Sequence, residues 1–208
     1  LQDKKQLADL KIYALILGYD NGSRQFVNGL NYQEEMDYIV SHEKRNRFIR
    51  NLTKTRTGNT LVLFQYVEKH GKILHGLIGD TLDPYTRKLF FVYGGTDTKD
   101  RETVRSITEN ENNAIIVASY GTFSTGINIR NLHNVIFASP TKSKIRILQS
   151  LGRGLRLGNN KVKANLYDIA DDFSHKERKN FTLSHFMERI NTYSEQEFDY
   201  ELDHVDIR

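Results

Sequence analysis

From Gly58 onward, five short apolar runs are separated by polar segments of helix length, and this alternation sets the tightest limit on the fold. The runs are Thr60–Tyr66, Leu89–Tyr93, Ala114–Ala118, Asn134–Ala138 and Asn165–Ile169. They are rich in Val, Ile, Leu and Phe and lack polar alternation. A strand with one wet face alternates, whereas a parallel strand covered on both faces does not. Segments such as Thr98–Thr108 and Ser143–Leu151 supply the covering helices. Strand-helix-strand repetition with right-handed crossovers predicts a three-layer α/β lobe. Its sheet is parallel, helices cover both faces, and ligands bind at the strands' carboxyl ends.

The flanks read differently. Asp3–Leu10 is charged and helix-like, and Ile12–Leu17 is a strand-like run closed by Gly18 and the Asp20-Asn21-Gly22 turn. Within residues 32–56, Tyr32, Met36, Ile39 and Val40 share one helical face, and Phe48, Ile49 and Leu52 share another. After Asp172, residues 176–193 read as a helix carrying Phe181, Leu183, Phe186, Met187 and Ile190. Glu195–Arg208 alternates acidic and apolar residues, as either an edge strand or a tail packed on something else. The expected division is an N-terminal helical extension over 1–57, the α/β lobe over 58–172, and a C-terminal helical tail over 173–208.

The 208 residues suffice for one domain with a real core. The chain opens on Leu1 rather than methionine, which reads as a chain processed, cut or incompletely covered. No apolar run is long enough to cross a bilayer, and nothing resembles a signal peptide. The absence of cysteine excludes disulfides and thiolate metal sites and points to a reducing interior. The seven histidines show no HExxH or other ligand spacing, so no metal site is expected. A net charge of +4 suits a polyanionic partner, although many proteins of that charge bind none.

Two segments carry chemistry. In Gln149-Ser150-Leu151-Gly152-Arg153-Gly154-Leu155-Arg156, the two arginines share a helical face, and the glycines permit close approach of a ligand or backbone. Paired guanidinium groups suit a phosphate whose negative charge grows during transfer, because the planar fork binds oxygens bidentately. For two arginines alone, a solvated basic helix with an ordinary salt bridge is the favoured reading. Upstream, Ser119–Asn128 directly follows a predicted strand. Its hydroxyls and glycines could present amides to phosphate oxygens, or form a turn capping a short helix.

In this order, these two segments resemble motifs V and VI of superfamily 2 helicases. Leu61–Val67 resembles motif IV, and Val92-Tyr93-Gly94-Gly95 with Asp100-Arg101-Glu102 resembles the next strand and helix of that lobe. Gln65–Gly71, Ala118–Asn128, Lys142–Ile145 and Tyr167–Asp172 resemble the recombination helicases of T-even phages, a likeness that also covers the preceding helical region and the tail.

The resemblance implies a second RecA-like lobe, with the connection to a first lobe inside residues 1–57. ATP and Mg2+ would be held mainly by that first lobe. Arg153 and Arg156 would reach across the cleft to the nucleotide, and Gln149 would organise the interface. Gly126 matches the motif V glycine. Asn128 stands where many relatives carry Asp, losing a charge but keeping an acceptor. Either Ser119 or Tyr120 takes the place of the motif V threonine. DNA phosphates would meet loops on the same edge: Gln65, His70, Lys72, Thr96, Arg101, Ser124, Lys142 and Lys144. An ordinary solvated surface is the competing reading for each, and for the lysines it is the favoured one.

A phosphate-binding loop of the form GxxxxGK[ST] is absent, and Asp171-Asp172 reads as a cap or turn after the last strand. This lobe alone is therefore expected to be inactive. The implied substrates are branched DNA, single-stranded DNA and RNA–DNA hybrids, met by a monomer in the cytoplasm of a host cell. The rival is a non-enzymatic nucleic-acid or protein docking module of the same fold.

Overall fold

The computed structural model of the chain describes residues 10–94, 98–123, 131–142 and 164–208. β1 (Leu10–Gly18) leads into α1 (Asn21–Asn28), α2 (Tyr32–Ser41) and α3 (Glu43–Thr55). β2 (Thr60–Phe64), a π-type turn (Val67–Gly71) and α4 (Lys72–Gly79) follow. Next come β3 (Leu89–Val92), α5 (Thr98–Asn110), β4 (Ile115–Ser119) and the single turn α6 (Tyr120–Phe123). β5 (Asn134–Phe137), β6 (Ala164–Asp172), α7 (Phe181–Glu195) and β7 (Asp199–Asp206) complete the described elements.

The strands form one seven-stranded sheet among the described residues, in the order β3-β4-β2-β5-β6-β1-β7. Every described pairing is parallel. Alternation along β2 shows why its run is wholly apolar. Leu61 and Leu63 enter one core with Val104 and Ile107 of α5, while Val62 and Phe64 enter the opposite core with Ile39, Ile49 and Leu74. All four β2 side chains are fully buried, each contributing about 1.5–3 kcal/mol.

The crossover rule decides which face each helix covers. The connections β1 to β2 and β2 to β3 run toward the β3 edge, and their helices α2, α3 and α4 pack on one face. The connections β3 to β4 and β6 to β7 run the other way, and α5 and α7 pack on the opposite face. Both sets have the same hand, as the sheet's twist requires.

Local chemistry starts the helices. Asp20 caps α1 by accepting from the Ser23 amide at 2.8 Å. Asn31 and Glu34 form a reciprocal capping box on α2. At the end of the π-type turn, a Cβ on Gly71 would lie 2.5 Å from the Phe64 ring, so only glycine lets that turn close on β2.

Two expectations gain a place in the sheet, and a third changes. The strand-like run near the N-terminus is β1, which sits inside the sheet between β6 and β7. The acidic-apolar end is an edge strand, β7, parallel to β1. The expected 176–193 helix starts at Phe181, because His175 and Arg178 close a turn in which Lys176 takes a φ of 55°. Of the helix-like stretch Asp3–Leu10, residues 3–9 lie outside the described residues and Leu10 opens β1 instead; the segment Ser143–Leu151 also lies outside them.

Candidate nucleotide and nucleic-acid edge

All-parallel pairing gathers the carboxyl ends of the strands on one edge. At that edge the connections from β4 and β2 part: α6 enters the α5 face, and α4 enters the other. Such a parting opens a crevice between neighbouring strand ends, where open α/β sheets bind ligands. Phe64 of β2 pairs with Ser119 of β4 there. The Ser119 and Thr122 hydroxyl oxygens lie 3.0 Å apart. Tyr120 is instead a core ring whose hydroxyl donates to the Ser139 carbonyl at 2.7 Å, and burial raises its pKa well above the usual phenol value. Of the two candidates, Ser119 rather than Tyr120 therefore keeps its hydroxyl at the strand ends, beside that of Thr122.

His70, expected on the DNA-facing surface, is fully buried. The π-type turn carries its ring inward between α3 and the loop after β5. Asn46 Nδ2 donates to the Val40 carbonyl at 2.9 Å, so Asn46 Oδ1 must accept from His70 Nε2 at 3.0 Å. His70 Nδ1 then accepts from the Ser139 hydroxyl at 2.6 Å, and Ser139 Oγ accepts from the Gln65 amide at 3.0 Å. The neutral Nε2–H imidazole satisfies every partner, and direct phosphate contact by His70 is ruled out at this position. It supports Gln65 and Ser139 from beneath.

Burial, then the nearby Arg45 guanidinium, holds the His70 pKa well below its ordinary value of about 6.5. Between the native value and about pH 6.5, the unfolded chain binds a proton that the native chain does not. Stability is thus complete above about pH 6.5 and is lost as pH falls. His42, His133 and His185, all depressed mainly by burial, add to the same slope. We expect His70→Gln to flatten the acid limb by up to about 1.4 kcal/mol per pH unit. Urea unfolding between pH 5 and 8 measures this, and identical slopes in variant and parent would refute it.

Beside this network lies a buried ion pair that spans the layers. Arg45 of α3 binds Asp171 of β6 through Nε–Oδ1 at 2.7 Å and Nη2–Oδ2 at 3.1 Å, with Nη1 on the Ala138 carbonyl at 2.7 Å. The Tyr19 hydroxyl donates to the same carboxylate at 2.6 Å. Arg45 is 0% and Asp171 1% exposed. Asp171 and Asp172 lie within β6 rather than in a turn after it. With its oxygens engaged by Arg45 and Tyr19, Asp171 does not fit a Mg2+ ligand. No cluster of three or more potential metal-binding side chains occurs among the described residues.

Two further buried carboxylates attach α7. Asp168 of β6 accepts from Arg189 at 2.9 and 3.0 Å and from Tyr193 at 2.7 Å. Glu35 of α2 accepts from the amides of Phe181 and Thr182 at 3.0 and 2.7 Å, capping α7 from another helix. Neither role is visible in local spacing.

The remaining expected residues divide. Gln65 is exposed at the end of β2, beside the Ser139 loop that leads to Lys142. Lys142 lies 4.8 Å from the centre of the Tyr32 ring. Lys72 is exposed and paired with Glu68 at 2.6 Å. Arg101 is half-buried on α5, and its Nε meets no partner among the described residues. Gln149, Arg153, Arg156, Gly126, Asn128, Thr96, Ser124 and Lys144 lie outside the described residues. Among the described residues, no helix is long and apolar enough to cross a membrane.

Comparison with known proteins places this architecture. Residues 43–158 match the family described as Helicase conserved C-terminal domain. The whole chain is 35% identical to the ATP-dependent DNA helicase uvsW of Enterobacteria phage T4, and it spans 43% of that protein's length. The crystal structure of T4 UvsW superposes with a TM-score of 0.81, covering 96% of this chain and 42% of that one. The ADP-bound RNA helicase Prp28 from Chaetomium thermophilum shares the fold at 9% identity and a TM-score of 0.59, covering 92% of this chain and 38% of that one.

Proposed function

The chain belongs to the helicase conserved C-terminal domain family, and from that membership we propose that it is the second RecA-like motor lobe of an ATP-dependent DNA helicase. The observation carrying this reading is the end-to-end likeness to a protein described as an ATP-dependent DNA helicase. The pairing of Phe64 with Ser119 at the ends of β2 and β4 supports it, because the motif IV-like and motif V-like segments meet there.

In this reading the first lobe holds ATP and Mg2+, and this lobe closes on it. Arg153 and Arg156 reach the nucleotide's phosphates, Gln149 organises the interface, and Gly126 and Asn128 line the cleft. The DNA backbone follows Gln65, Lys72, Thr96, Arg101, Ser124, Lys142 and Lys144, giving salt-sensitive binding with little sequence preference. Branched DNA and RNA–DNA hybrids in recombination, repair and replication restart are the substrates.

Joining the chain to a lobe that carries a phosphate-binding loop tests the reading. ATP hydrolysis stimulated by single-stranded or forked DNA should require both lobes, and this chain alone should not turn over ATP. A two-lobe protein whose hydrolysis ignores DNA would overturn the proposal.

A further inference from the structure

Three aromatic rings and three cations alternate along the surface where α2, the π-type turn, the loop after β5 and the start of α7 meet. Lys69 Nζ lies 5.6 Å from the centre of the Tyr66 ring, and Lys142 Nζ lies 4.8 Å from that of Tyr32. The Arg178 guanidinium lies 5.5 Å from the Phe181 ring. The rings are joined into a ribbon. Tyr32 meets Phe181 edge-on at 6.2 Å, and Gln33 of α2 donates to the Tyr66 hydroxyl at 3.2 Å. Tyr32 and Tyr66 are half-buried, so their orientations are set by packing, while Phe181 is 38% exposed.

Of the carboxylates nearby, Glu35 is turned inward onto the start of α7, while Asp37 pairs with Lys69 at 3.0 Å in an exposed ion pair that a phosphate can replace. Lys142 and Lys69 remain exposed. A ring with a cation over its face offers a nucleotide two matched partners. The base takes the ring face, and its phosphate takes the displaced cation. Paired bases keep their faces stacked inside a duplex, so only unpaired bases can use such a surface.

We propose that this ribbon is a stacking platform for single-stranded DNA, extending the candidate edge from Gln65 and Lys142 onto α2 and α7. The proposal rests on that edge facing DNA, as in the reading above. Tyr32 and Phe181 lie outside residues 58–172, so the platform assigns the segments before and after that stretch a part in strand contact.

The test uses the 208-residue chain, fluorescein-labelled oligo(dT) and a duplex of equal length, read by anisotropy. Tyr32→Leu keeps an apolar though smaller side chain and removes the π face, and it should weaken oligo(dT) binding about tenfold. Tyr32→Phe should bind like the parent. Lys69→Gln with Lys142→Gln, both exposed and harmless to folding, should reduce the slope of log affinity against log salt by about 0.7 per lysine. The proposal is overturned if the leucine variant binds oligo(dT) as tightly as the parent, if it loses duplex and oligo(dT) equally, or if the lysine pair leaves the slope unchanged. These outcomes are separable from failure of the motor reading, which is scored by DNA-stimulated ATP hydrolysis in the two-lobe protein.

Discussion

Replacing Arg153 or Arg156 with Ala in the two-lobe protein is expected to lower DNA-stimulated ATP turnover by about three to five powers of ten. The basis is the motif VI-like spacing: two arginines three residues apart beside two glycines, a spacing that on a helix would bring both guanidinium groups to one face. Charge builds on the transferred phosphate in the transition state, and a donor fork positioned for that charge lowers the barrier more than it tightens ground-state binding. Lys should rescue poorly, because an ammonium group cannot bind two oxygens in one plane. The double Ala variant should be scarcely worse than either single variant if the pair acts as a unit. Oligo(dT) binding by the same variants separates a lost finger from a lost DNA contact. Unchanged turnover in both single variants would remove the arginines from the chemistry.

The second large effect is on stability. Arg45→Ala should cost roughly 3–5 kcal/mol, because it strands the Asp171 carboxylate in the interior with Tyr19 as its remaining side-chain partner among the described residues. For a chain of this size that lowers the melting temperature by about 10 °C. Arg45→Met combined with Asp171→Leu should recover part of the loss, since no unpaired charge remains. Recovery stays incomplete because the Ala138 carbonyl and Tyr19 hydroxyl lose partners worth about 1–3 kcal/mol each. Urea unfolding of the three variants decides the matter. A loss below about 1 kcal/mol for Arg45→Ala would mean that water reaches the pair and that its burial is not what holds α3 to the sheet.

The parts legible in sequence were those whose signal is periodic. Val62 and Phe64 alternate with Leu61 and Leu63, and only a strand covered on both faces needs all four apolar. Arg45 was legible in principle: it lies on one stripe with Ile49 and Thr53, at spacings of four, and all three are buried. A charge on an apolar stripe calls for a buried partner, and Asp168 and Asp171 occupy a strand with buried neighbours. His70 could not be placed the same way. Its surroundings read as a polar loop, and the π-type turn that swings its ring inward depends on Gly71 closing against Phe64.

By itself, the sequence determined the layered parallel sheet, because uninterrupted apolar runs have no stable solution except burial on both faces. It also determined the order of the segments that resemble helicase motifs. Tertiary structure alone decided that β1 and β7 complete the same sheet, that Glu35 caps a helix nearly 150 residues away, and that His70 supports the edge rather than touching it. The physical reason is range. Hydrophobic periodicity is written within a few residues, whereas a buried hydrogen bond or ion pair needs a partner that only the folded chain brings near.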